Sequence, residues 1–132
     1  MIRTLREQGG GISVDELLGK AKTVDLKGQE VLLVAEKIEA MDTESVEAAV
    51  NRVTDRIQSG IVVLGAAIDG KAVIVCSVSK ELTGKVKAGD LARNAAAIVG
   101  GGGGGKPDWA KAGGKDPSKL EEALSRIEEF LK

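Results

Sequence analysis

VGGGGGGKPDWAKAGG, residues 99–114, sets six consecutive glycines, Gly100 to Gly105, ahead of a lysine, a proline and the only tryptophan of a 132-residue chain. Fixing one residue's backbone costs roughly 1–2 kcal/mol, so ordering six glycines costs on the order of 6–12 kcal/mol. The run is either a mobile linker or a surface on which bare main chain is wanted. A linker joins two separately stable pieces, and the segment beyond residue 114 is one helical stretch of about fifteen residues, marginal by itself in water. In that stretch Asp116-Pro117 supplies an N-cap with proline at the first helical position, and Glu121 and Glu122 complement the positive helix end. Leu120, Leu124, Ile127 and Leu131 then recur at helical spacing. This closing helix must dock on the core that precedes the glycines. The glycine segment is thereby tethered at both ends and reads as a surface loop lying against one domain.

Upstream of the loop, Gly89 to Val99 reads as a helix with Leu91, Ala95 and Ile98 on one face, entered through the charged connection KELTGKVK, Lys80 to Lys87. Before it, IVVLGAAI (Ile61 to Ile68) and KAVIVCSVS (Lys71 to Ser79) are β-rich runs joined by Asp69-Gly70, a strong two-residue hairpin signal. Val46, Val50, Val53 and Ile57 mark a helix capped by Asp42 or Thr43 and stopped by Gly60, with Glu47, Arg52 and Arg56 outward. EVLLVAEKI, Glu30 to Ile38, suits a strand buried on both faces, and Thr23 to Leu26 a short edge strand turning at Lys27-Gly28. Ser13-Val14-Asp15-Glu16 is a capping-box pattern for a short helix ending near Gly19, and the residues before it read as the frayed end of a helix that began upstream. The predicted fold is α/β, a small mixed sheet in β-α-β-β-α-α order with helices packed on it. Residues 1–20 are predicted to be the remnant of a helical or linker segment of a longer protein, and residues 21–132 one globular domain.

Composition narrows the chemistry. With 42% hydrophobic and 30% charged residues the chain belongs with soluble globular proteins. No apolar run reaches the ~18–20 residues that cross a bilayer, and MIRTLREQGGG carries no apolar segment before a cleavage site, so a cytoplasmic chain with no membrane partner is expected. The sequence contains no His and one Cys, which excludes His-based triads, His-based metal sites and an internal disulfide. Cys76 sits inside a predicted strand and reads as a small buried apolar residue rather than a reactive thiol. No catalytic and no metal-ligating residue is predicted.

Net charge is −1, but it is unevenly spread: −4 over residues 1–70, +5 over 71–115 and −2 over 116–132. The basic block holds the glycine run, and clustered positive charge concentrates polyanions. Consecutive glycines let backbone N–H groups meet an anion or a flat base at contact distance. The run lacks the strand-to-helix setting of a nucleotide-binding motif, so on pattern alone a phosphate cradle and a plain structural loop both stay open.

Read as V-G-G-x-G-G-G-x-P-x-x-A-x-A-G-G, Val99 through Gly114 resembles the signature of the DHHA1 family as it occurs at the C-terminus of alanyl-tRNA synthetases. VSKELTGKVKAGDLARNAAAIVGG, Val78 to Gly101, is similar to that family's approach to the loop, and the resemblance extends from about Leu26 to the C-terminus. It implies a noncatalytic module that binds tRNA-Ala at the elbow where D and T loops meet and helps couple the aminoacylation and editing domains of the same chain. It also implies a possible homodimer through the preceding helical segment. No cofactor is implied for this domain; ATP, Mg2+ and Zn2+ belong to the parent synthetase. DHHA1 domains also occur in DHH-family phosphodiesterases, where a histidine comes after the glycines; here the stretch is Lys106-Pro107-Asp108. The absence of that histidine favours the synthetase branch; the alternatives are a substrate-binding domain of such a phosphodiesterase and a dimerisation module.

On the RNA-binding reading, Lys80, Lys85, Lys87, Arg93, Lys106, Lys111 and Lys115 would meet phosphates, while Gly101, Gly102, Gly103, Gly104 and Gly105 approach sugars or an exposed base pair. Trp109, at a position variable and often apolar in the family, would stack on a base or pin the loop to the core. Asp108 reads as a turn or capping residue and Pro107 as a stiffener.

Overall fold

The computed structural model describes residues 14–57 and 60–131. The expected helix upstream of residue 13, and the Ser13 cap, lie outside the described residues. A six-stranded mixed sheet in the order β1-β2-β3-β4-β6-β5 forms the middle layer. Its strands are β1 (Lys22–Leu26), β2 (Gln29–Lys37), β3 (Gly60–Ile68), β4 (Lys71–Val78), β5 (Gly101–Gly105) and β6 (Trp109–Gly114). Helices α1 (Val14–Gly19) and α2 (Thr43–Arg56) lie on one side. Helices α3 (Ala88–Ile98), α4 (Leu120–Ser125) and α5 (Ile127–Phe130) lie on the other.

Two of the tight turns arise directly from local chemistry. Lys27-Gly28 and Asp69-Gly70 join β1 to β2 and β3 to β4, both antiparallel, and all four turn residues have positive φ, from 51° to 92°. This is the twist-matched two-residue hairpin turn that Gly and Asp tolerate. The β2 and β3 strands pair in parallel through α2, as a helical crossover demands. Asp42 caps α2 by accepting the Ser45 amide at 2.8 Å, and its bonds to the Ser45 side chain and amide hold its carboxyl below the usual carboxylate range. Val46, Val50 and Val53 are fully buried beneath that helix.

Alternation along the strands fills two separate cores. Leu33, Ile61, Val63, Ile74, Cys76, Ala110 and Ala112 join Leu91, Ala95, Leu120 and Ile127 on the α3–α5 side. Val34, Val62, Leu64 and Val75 join Val46, Val50 and Leu17 on the α1–α2 side. Cys76, as expected, is a core residue: burial pushes its thiol up to about 12. Gly65 leaves room for α4, since a Cβ there would come within 2.9 Å of Leu120.

Four sequence expectations are corrected. The glycine segment is not a loop: Gly101 to Gly105 is the edge strand of a hairpin whose second strand, Trp109 to Gly114, pairs with β4, adding two strands to the predicted order. Gly60 does not stop α2, which ends at Arg56, with Ile57 already extended. It opens β3 instead, where a Cβ would stand 2.8 Å from the Leu32 carbonyl oxygen. The closing helix is broken at Arg126 into α4 and α5, and Asp116 caps a 3-10 turn, Pro117–Lys119, that precedes α4. The β2 strand is buried on both faces only in part: Val31, Leu33 and Val34 are buried and Leu32 is exposed.

Candidate nucleic-acid interface

The β5–β6 hairpin is shaped by the helix that lies over it. Helix α3 ends at Ile98 with Val99 as C-cap, and Gly100 at φ 76° turns the chain out of it, a left-handed position that favours glycine. The chain then runs back beneath α3. That helix presents small residues downward, with Ala88, Ala92, Ala95 and Ala96 all buried. A Cβ on Gly89 would already lie 3.3 Å from the Gly105 carbonyl oxygen. Helix and strand approach so closely because neither carries bulk at the contact.

The five glycines of β5 fall into two sets. Added Cβ atoms on Gly101 and Gly103 would run into the Gly113 carbonyl and the Ala112 side chain, and one on Gly105 would stand 2.7 Å from the Trp109 carbonyl oxygen. Gly102 and Gly104 would meet nothing within 4 Å. These two pair with Gly113 and Lys111, and Lys111 in turn pairs with Val75 of the α2-side core. The open face of the hairpin therefore looks toward the α2 side. Helix α2 stops short of it: its reach ends at Trp109, half-buried against the α2-side core, and at Glu47, 3.3 Å from the Lys111 ammonium. Beyond that line lies bare backbone.

The hairpin tip is held rigidly. The Lys106 amide donates to the Trp109 carbonyl at 2.8 Å, the Val78 amide to Asp108 at 3.1 Å and the Ala88 amide to Pro107 at 2.8 Å. The tip carbonyls thus serve both the end of β4 and the start of α3, and Lys106 is exposed there. Lys111 projects from the middle of the open face, and its pair with Glu47 is a surface contact worth under about 1 kcal/mol, one that a phosphate can compete for. At the far end Lys115 comes directly after Gly114, whose strand partner Ala72 is preceded by the exposed Lys71.

The remaining predicted cations lie elsewhere. Lys80 opens a 3-10 turn, Lys80–Leu82, between β4 and α3. Lys85, Lys87 and Arg93 line a cleft on the α3–α5 side together with Lys27. Sequence reasoning missed Lys27 and Lys71. Lys27 sits in an acidic stretch and is brought to the basic block by the β1–β2 turn alone, whereas Lys71 was inside the counted block and only strand register ties it to the hairpin. Among the described residues no group of three or more His, Cys, Asp or Glu side chains could hold a metal ion.

Residues 30–132 match the DHHA1 domain model. Among curated proteins, the alanine–tRNA ligase of Desulfosudis oleivorans is 49% identical over 96 residues, which cover 73% of this chain and 11% of the ligase. Those of Anaeromyxobacter dehalogenans and Natranaerobius thermophilus are 42% and 39% identical over 95% and 99% of this chain, corresponding to 13% and 15% of their own lengths. The chain thus spans between a tenth and a sixth of these ligases. Among solved structures, the C-Ala domain of Aquifex aeolicus alanyl-tRNA synthetase superposes with a TM-score of 0.71 at 29% identity, over 83% of this chain and 97% of that one. A DHH-domain protein described as a member of the s1p family of ribosomal proteins shares the fold alone, with a TM-score of 0.58 at 17% identity over 90% of this chain and 29% of that one. By the family model over residues 30–132 the chain belongs to the DHHA1 domain family, and within it resembles the C-Ala domain of alanyl-tRNA synthetase in both sequence and fold.

Proposed function

We propose that this chain is the tRNA-binding C-terminal module of an alanine–tRNA ligase, and that it grips tRNA through the open face of the β5–β6 hairpin. The observation that carries the reading is the split among the glycines. Gly101, Gly103 and Gly105 are required by packing, but Gly102 and Gly104 have free space before them and still present only backbone. A flat, side-chain-free strip flanked by Lys106, Lys111 and Lys115 suits ribose and phosphate approaching main chain. The surface of a folded RNA corner, the elbow where D and T loops meet, matches such a strip better than a deep helical groove does.

In this reading the module has no chemistry of its own. It holds tRNA-Ala while aminoacylation and editing domains elsewhere in the ligase act on the acceptor end, and ATP, Mg2+ and Zn2+ are engaged by those other parts. The reading also includes a homodimer of the ligase and its work in the cytoplasm. No helix among the described residues is long and apolar enough to cross a membrane.

The test is a titration of tRNA-Ala across a range of salt concentrations against the chain and its Lys106→Ala, Lys111→Ala double variant. Each lost phosphate contact lowers the steepness of the log–log salt dependence by roughly 0.7–0.9. The double variant is expected to bind more weakly and with a slope shallower by up to twice that amount. Equal affinity and equal slope would remove the hairpin from the interface.

A further inference from the structure

The basic residues divide between the two sides of the sheet, and the second group is not explained by the hairpin. On the α3–α5 side a cleft of about 300 Å3 is rimmed by Lys27, Lys85, Lys87 and Arg93, with Asp90 the one carboxylate in its lining. The four cations come from three separate places: the β1–β2 turn, the approach to α3, and α3 itself. Asp90 is occupied by Arg93. The Lys85 ammonium donates to the Gln29 side-chain carbonyl at 2.6 Å, a neutral partner that fixes its position without cancelling its charge. Among the described residues neither Lys27 nor Lys87 has an ion-pair partner. Uncompensated like charges around a concavity raise the local potential and draw in an anion.

The lining is mainly polar, with an apolar minority. Val86 and Phe130, the only phenylalanine of the chain, contribute to it, both half-buried against the α3-side core. Lysines beside one partly exposed aromatic ring can receive a phosphate and the flat ring joined to it. The volume lies at the lower limit of the ~300–1,000 Å3 usual for small-ligand sites, enough for one nucleotide and too small for a duplex.

We infer that this cleft is a mononucleotide site, in which Lys27, Lys85 and Lys87 hold the phosphate and the base lies against Phe130. It rests on the RNA reading only for the source of the nucleotide, an unstacked residue of a bound strand as against a free nucleotide. The phosphate-and-base chemistry is the same in both.

The probe is adenosine 5′-monophosphate, titrated into the isotopically labelled chain while backbone amide resonances are monitored. Saturable shifts are expected at Lys27, Gly28, Val86 and Arg93; inorganic phosphate should displace them, and adenosine lacking phosphate should not produce them. The variant Lys27→Asn with Lys87→Gln should weaken binding about tenfold or more for each charge removed. It retains the fold by design: asparagine accepts the positive φ of position 27 and improves the turn, and Lys87 is exposed and makes no side-chain cap bond. A 5′-phosphorylated tetranucleotide that binds more tightly than the mononucleotide identifies a strand as the source, and equal affinity identifies a free nucleotide. Non-saturable shifts, equal binding of adenosine, or unchanged affinity in the double variant would each overturn the assignment. Should the chain fail to bind tRNA-Ala while the mononucleotide still saturates, the RNA reading falls and the cleft stands; the reverse result removes the cleft alone.

Discussion

In β3, Ile61, Val62, Val63 and Leu64 are each fully buried and alternate between the two cores, whereas β5 carries no side chain at all and leaves one face in solvent. Both are strands of the same sheet. The first is held by what its side chains displace from water, each Val, Leu or Ile contributing about 1.5–3 kcal/mol on burial. The second can gain nothing of that kind. It is held by backbone bonding to β6 and by the small-residue contact with α3, and its position is set by the rigid tip at Lys106-Pro107-Asp108. A strand that contributes little apolar burial and costs the most chain entropy is tolerated where the exposed backbone has a use.

The largest effect expected from breaking this contrast lies in β3. Leu64→Ala removes a fully buried side chain from the α2-side core, and should cost about 2–5 kcal/mol of stability. Against the ~5–15 kcal/mol of a typical domain, that is a large fraction. Urea denaturation reads it as a lowered midpoint; a loss below about 1 kcal/mol would mean that β3 is not the centre of the core.

A smaller effect is expected in β5, with a different origin. Gly103→Ala adds a methyl group where the Ala112 side chain already stands, so the strand must shift away from β6. Overpacking of this kind typically costs about 1–3 kcal/mol. Amide exchange should quicken along Gly101–Gly105 and Trp109–Gly114 before it does in β3 and β4. Uniform acceleration across the sheet would show instead that hairpin and core unfold as one unit.

The same contrast explains what the sequence disclosed. Segments whose side chains specify them were legible: Asp69-Gly70 and Lys27-Gly28 as hairpin turns, Val46, Val50 and Val53 as the buried face of α2, Cys76 as core. The β5 strand has the sequence of a loop because glycine has low strand propensity and no pattern of its own. The signal lay in its partner: Ala110 and Ala112 alternate with Trp109 and Lys111, a period-two pattern that asks for a strand on each side. At the interface, the charge block located Lys106, Lys111 and Lys115 beside the glycines. It did not separate them from Lys85, Lys87 and Arg93, since which side of a sheet a lysine occupies depends on tertiary arrangement, and Lys27 enters the cleft from some sixty residues away in sequence.

The smallest effect on stability should come with a large effect on binding. Gly102 is exposed, pairs with Gly113 and has nothing within 4 Å of a would-be Cβ, so Gly102→Val is sterically permitted. Strand propensity favours valine over glycine by up to about 1 kcal/mol, and replacing glycine also narrows the unfolded ensemble. The variant should therefore be as stable as the parent chain or slightly more so, with its urea midpoint unchanged or raised. The added isopropyl group nevertheless stands on the strip that tRNA is proposed to touch, holding sugar and phosphate off the backbone, and affinity for tRNA-Ala should fall about tenfold or more. Gly103→Ala, whose methyl points to the α3 side, should lose stability and keep its affinity wherever it stays folded. This inverse pairing is what separates a glycine retained for packing from one retained for contact. If Gly102→Val binds tRNA as well as the parent chain does, the open face is only a consequence of the packing beneath it.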